Sequence, residues 1–145
     1  NSIAHAHPMY GKTFSTLGKV LDPISQDSCA FYERTAMFAD YDGVANGPDE
    51  GINIAKALGD KDFVILQNHG ILTTGTMVDT TIWYFLNMED ACKSQLLAEA
   101  VGKPIVIPHD TACATRDYVA NDLSAYVSFQ PTIDVLWEEE PDLLD

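Results

Sequence analysis

Phe63-Val64-Ile65-Leu66-Gln67-Asn68-His69-Gly70 is the stretch that decides the fold of this 145-residue chain. Four apolar residues in a row have the length of a strand buried on both faces, and Asn-His-Gly marks its end. Ile71 to Thr74 reads as a continuation of that strand. Downstream, Thr76-Met77-Val78-Asp79 has the form of a capping box and predicts the start of a long helix. Ile82, Phe85, Leu86, Met88, Ala91, Cys92, Leu96 and Ala98 lie on or near one face, and Gly102 with Pro104 closes it.

Upstream, Asn46-Gly47-Pro48-Asp49-Glu50 signals another helix, with proline at a first helical position and two acids for the positive end of the helix dipole. Ile52, Ala55 and Leu58 supply its apolar stripe and Gly59 its stop. Thr35 to Tyr41 alternates as a strand does. Ser2 to His7 predicts a strand halted by Pro8, which opens a helix running to Leu17 and closing at Gly18. Arg116 to Tyr126 reads as helical, with Pro131 interrupting anything longer. Strands and helices alternate, so a layered α/β domain is expected over residues 1–137, followed by an acidic tail at 138–145.

Eight Lys and Arg oppose 22 Asp and Glu, a net charge of −14. That balance argues against a nucleic-acid partner, whose affinity rests on basic side chains, and against an anionic membrane surface. No apolar run approaches the roughly 18–20 residues of a membrane span. Cys29, Cys92 and Cys113 contain no CxxC pair, so neither a disulfide framework nor a zinc knuckle is expected. The economical expectation is a soluble cytoplasmic protein. The chain opens inside an apolar/polar pattern, from which a preceding N-terminal portion of the domain is expected.

The histidines carry the chemistry. His5 and His7 stand at i and i+2 on a strand and project from one face, where two imidazoles can chelate one cation. His69 ends the buried strand, where side chains reach a cleft at a sheet edge. Three neutral imidazoles leave a tetrahedral zinc ion one open position, the arrangement of catalytic sites. Against this, an isolated HxH commonly marks a surface strand, and a single strand-end histidine is commonly a hydrogen-bonded core residue. Spacing alone therefore yields a candidate metal site and no more.

Ile3-Ala4-His5-Ala6-His7-Pro8-Met9-Tyr10, followed by Val64-Ile65-Leu66-Gln67-Asn68-His69-Gly70-Ile71-Leu72-Thr73-Thr74-Gly75, resembles the class II aldolase/adducin family. Gln26-Asp27 with Phe31-Tyr32, and Gln95 to Ala100, add to the likeness, which spans the C-terminal two-thirds of the family domain. The resemblance implies a three-layer α/β/α domain, truncated at its N-terminus, with a divalent metal, most simply Zn²⁺, on His5, His7 and His69. It implies a lyase that makes or breaks a C–C bond beside a hydroxylated carbonyl through a metal-stabilised enediolate. Epimerase or decarboxylase chemistry on the same metal, or an adducin-like interaction domain without catalysis, are the alternatives. A small hydroxy-carbonyl substrate and a homo-oligomer, a tetramer in many members, are implied as well. The family's acid/base carboxylate is expected upstream of residue 1, so no catalytic or substrate-binding residue is assigned within the chain.

Other polar residues have plainer readings. Asn68 suits a strand-end turn as well as a ligand-orienting role. Glu33 is expected in a solvated ion pair near Arg34, and Gln26 and Asp27 in a polar loop. His109 is expected at the surface or at a helix cap, without a partner at ligand spacing. Cys92 and the Trp83-Tyr84-Phe85 set read as packing.

Overall fold

The computed structural model describes residues 1–40 and 48–144. Tyr41, Asn46, Gly47 and Asp145, assigned above to a strand end, a helix start and the tail, lie outside them. Four strands form one mixed sheet: β1 (Ser2–Ala6), β2 (Thr35–Phe38), β3 (Phe63–Leu66) and β4 (Gly70–Gly75). Their spatial order is β1-β4-β3-β2, with β2 and β3 parallel and the other two pairs antiparallel. The helices are α1 (Met9–Ser15), α2 (Pro48–Leu58), α3 (Val78–Val101), α4 (His109–Val119) and α5 (Asp122–Glu139), with short 3₁₀ helices at Asp27–Phe31 and Pro141–Leu144.

β3 organises the layers because successive side chains on a strand point to opposite faces. Phe63 and Ile65 enter a core with Phe14 of α1, Tyr84, Met88, Ala91 and Cys92 of α3, and Ala125 of α5. Val64 and Leu66 enter a second core with Phe38, Leu72 and the Ile54, Ala57 and Leu58 face of α2. Helices therefore cover both faces of the sheet, the three-layer α/β/α arrangement that the family resemblance implies. All four β3 residues are buried, as the unbroken apolar run requires.

Several local expectations are corrected. Ile71 to Thr74 does not extend β3. Asn68 takes a left-handed φ of 57°, the His69 N–H reaches back 3.0 Å to the Leu66 carbonyl, and β4 folds antiparallel onto β3. The α2 stripe is displaced: Ile52 is 50% exposed and Ala55 is exposed, while Ile54, Ala57 and Leu58 face the sheet. Gly59 does stop α2, at a φ of 55° that a side chain would resist. Thr76 is not the cap of α3; Met77 is, with the Thr80 hydroxyl donating to its carbonyl, and the Thr76 hydroxyl instead donates to Asp122 at 2.7 Å.

The C-terminal region forms two helices where one was expected. The Asn121 side chain accepts the Ser124 N–H at 3.0 Å and starts α5 afresh. Pro131 does not interrupt α5, which runs through it to Glu139 and takes in the first acids of the expected tail. A proline inside a helix removes one backbone hydrogen bond, and here the helix continues through it. Among the described residues, no helix is long and apolar enough to cross a membrane.

Candidate metal centre

β1 runs antiparallel to β4 with His5 opposite Leu72 and Ala6 opposite Ile71. The next residue, His7, therefore comes up beside Gly70, at the turn that carries His69. A Cβ on Gly70 would lie 2.5 Å from the Ala6 carbonyl oxygen and 3.2 Å from Cδ2 of His7. Only glycine lets the two strands close at this point, and their closing brings the distant third histidine to the HxH pair.

The three imidazoles meet at one end of the sheet. Ring centroids are 5.1 Å apart for His5 and His7, 5.0 Å for His5 and His69, and 4.5 Å for His7 and His69. One nitrogen from each falls within 4.8 Å of the other two. His5 and His7 are solvent-exposed and His69 is half-buried, so the centre is open on one side.

The protonation chemistry favours ligation. Nδ1 of His5 lies 2.9 Å from the Ile71 carbonyl oxygen, which can only accept, so Nδ1 carries the proton and Nε2 presents a lone pair. His69 is held below the ordinary imidazole value, first by burial and then by the facing rings of His5 and His7, with Glu50 acting in the opposite sense. A lowered value keeps that ring neutral at physiological pH, the form a metal requires. The Glu50 carboxylate, read in the sequence only as a helix-start acid, thus acts electrostatically on the centre.

The helix that follows His7 is pinned from below. Pro8 occupies the N-cap of α1, one position before the expected one. Its orphan N–H groups, those of Tyr10 and Gly11, donate to the Glu89 carboxylate of α3 at 2.9 and 2.5 Å. Glu89 therefore fixes where the chain leaves β1.

Other sequence candidates fall elsewhere. Asn68 is exposed in the turn, and its N–H donates to the Ser15 carbonyl at 3.4 Å. Gln26 and Asp27 are exposed at the start of the first 3₁₀ helix. Glu33 pairs with Arg116, not with Arg34, which is taken by Asp62 at 2.7 Å. His109 does have neighbours of ligating type, Cys113 and Glu33. The signal was present in the sequence as an i, i+4 spacing of His and Cys.

The family described as Class II Aldolase and Adducin N-terminal domain matches residues 1–96. The chain belongs to the class II aldolase and adducin family. Among curated relatives of this class II aldolase and adducin family member, Decarboxylase NovR of Streptomyces niveus is 36% identical over 142 residues, 98% of this chain and 53% of the relative. The 4-hydroxy-3-prenylphenylpyruvate oxygenase/4-hydroxy-3-prenylbenzoate synthase of Streptomyces roseochromogenus subsp. oscitans is 35% identical over 142 residues, 98% and 51% of the two chains. Of solved structures, the L-fuculose 1-phosphate aldolase from Glaciozyma antarctica superposes with a TM-score of 0.86 at 38% identity, covering 97% of this chain and 53% of that one. The chain spans about half the length of the curated relatives it matches. The three names describe different reactions.

Proposed function

We propose that the chain is the metal-holding part of a metal-dependent lyase acting on a small hydroxylated carbonyl compound, with His5, His7 and His69 as the ligands of a zinc-type divalent cation. The observation that carries this reading is the convergence of three imidazoles, one of them half-buried and kept neutral, at one open end of the sheet. The donor set fits the group: three nitrogen donors hold such a cation and leave a position for substrate oxygens. The cation, when bound, supplies a Lewis acid for the negative charge that develops beside the breaking C–C bond.

The chain's own residues do the positioning. The Ile71 carbonyl fixes the His5 tautomer. Gly70 sets the spacing of His7 from His69. Glu89 anchors the exit from β1. All-neutral ligands leave the cation's charge uncompensated, which strengthens its pull on developing anionic oxygens.

Aldol cleavage is the first reading, favoured by the likeness to a fuculose-phosphate aldolase at 38% identity. Decarboxylation by the same centre is the second, favoured by the relative named as a decarboxylase. Metal titration of purified protein tests the centre: His69→Ala removes one equivalent of bound zinc. Retention of full metal content by that variant would overturn the assignment, and a folded protein that takes no metal would place it with non-catalytic adducin-like domains. Incubating the natural polypeptide with a 4-hydroxy-2-keto acid separates the reactions, since aldol cleavage releases pyruvate and an aldehyde whereas decarboxylation releases carbon dioxide.

A further inference from the structure

The second cluster of ligating side chains lies between α4 and the link from the first 3₁₀ helix to β2. His109 and Cys113 are one turn apart on α4 and share a face. Glu33 reaches them from a backbone held at a φ of 59°, an uncommon conformation for a residue with a side chain. The Cys113 Sγ lies 3.7 Å from Oε2 of Glu33 and 3.8 Å from Nδ1 of His109, and Nδ1 of His109 lies 3.7 Å from Oε1 of Glu33.

The sulfur contact is to one oxygen of Glu33 and the imidazole contact to the other, and one ligand atom from each of the three residues lies within 4.8 Å of the other two. Bonds of about 2.0 Å to nitrogen or oxygen and about 2.3 Å to sulfur, at tetrahedral angles, put ligand atoms roughly 3.3 to 3.6 Å apart. With one atom from each residue within 4.8 Å of the others, the cluster needs a contraction of at most about 1.5 Å to match one face of a zinc tetrahedron. The Cys113 thiol is within hydrogen-bonding reach of both partners, whereas 3.7 Å is long for the carboxylate–imidazole contact.

The surroundings support the same use. The Tyr32 hydroxyl lies 3.2 Å from Nδ1 of His109 and orients the ring. Arg116 touches Glu33 at 3.4 Å, but its Nε is already bonded to Asp117 at 2.8 Å, so its charge is shared between two carboxylates. Cys29 and Cys92 are buried in the core, leaving Cys113 as the thiol with solvent access.

We propose that Glu33, His109 and Cys113 form a second metal site for a borderline-soft divalent cation of the zinc class, independent of the histidine triad. One thiolate, one imidazole and one carboxylate make a mixed set that such ions prefer over magnesium or calcium. A cation held there ties α4 to the edge of the sheet at β2. The site keeps its fourth position for water.

Cobalt(II) distinguishes this site from the triad, since only a thiolate ligand gives a sulfur-to-cobalt charge-transfer band in the near ultraviolet. The protein is kept reduced with a phosphine and titrated with Co²⁺ in the His69→Ala background, so that the triad is disabled. The expected result is a charge-transfer band saturating at one equivalent, abolished in Cys113→Ser and shifted to roughly tenfold or more weaker binding in His109→Ala and Glu33→Gln. Zinc should displace the cobalt and raise the melting temperature of the Cys113 protein but not of Cys113→Ser. These side chains lie at or near the surface, and far-ultraviolet circular dichroism verifies that each variant is folded. Absence of the band, or its persistence in Cys113→Ser, would overturn the proposal.

Discussion

Gly70 and Ala6 approach so closely that no side chain fits between them: a Cβ on Gly70 would sit 2.5 Å from the Ala6 carbonyl oxygen. Backbone cannot yield as a flexible side chain can, so Gly70→Ala must push β1 from β4. The expected cost is about 1–3 kcal/mol of stability. The same shift separates His7 from His69, so zinc affinity should fall in the folded variant. Urea denaturation and a zinc titration on the same preparation measure both effects, and unchanged affinity would show that the strand contact does not set the ligand spacing.

Glu89 serves the start of α1 from outside that helix. Glu89→Ala leaves the N–H groups of Tyr10 and Gly11 without their carboxylate, and a loss of about 1.5–3 kcal/mol is expected from removing charged hydrogen bonds of this kind. Glu89→Gln keeps an acceptor and should recover part of it. Amide hydrogen exchange at Tyr10 and Gly11 should speed up in Glu89→Ala. Protection equal to that of the parent would contradict the anchoring role.

Cys92 links stability to alkaline pH. Burial, with the nearby Glu89 charge adding to it, pushes its thiol up from 9.0 to about 12. The native state therefore holds this proton when the unfolded chain has released it. Its contribution is complete below the ordinary value of 9.0 and is lost as pH rises from there towards 12, at up to about 1.4 kcal/mol per pH unit. Chemical denaturation across that range should show a shallower slope in Cys92→Ala than in the parent, on top of the packing loss common to all pH values.

Thiol chemistry should distinguish the three cysteines. All three thiols are held above their ordinary value, but Cys29 and Cys92 are buried whereas Cys113 is only partly covered. A thiol reagent applied to the native, metal-free protein should modify Cys113 alone, and all three after unfolding. Modification of Cys29 or Cys92 at a comparable rate would mean that the core between α1, α3 and the sheet opens readily.

What was legible in the sequence follows from which interactions are local. The unbroken run Phe63–Leu66 has the composition of a strand buried on both faces, and it is one. The length of α3 followed from Gly102 and Pro104. The reversal at Asn68 was harder to see, because Asn-His-Gly fits both a strand that ends and a strand that turns back; the antiparallel partner decides between them. The face of α2 was misplaced because three apolar residues at helical spacing define two overlapping stripes, and the sheet selects Ile54 over Ile52. Thr76 lost its predicted role to a contact with Asp122, 46 residues away.

The site divides in the same way. The pairing of His5 with His7 follows from strand periodicity, whereas the approach of His69 needs the register of β1 on β4. The cluster at Glu33 combines a local signal, His109 and Cys113 one turn apart, with a partner from a distant loop. The local half was readable and the distant half was not.

The path between His7 and His69 contains α1, β2, α2 and β3, a span of 69 − 7 = 62 positions. A bound cation bridging those two residues would convert the whole span into a closed ring and restrict the unfolded chain far more than the folded one. Ligation would then act as a removable cross-link, with the stability of β2 and β3 rising and falling with the supply of free metal.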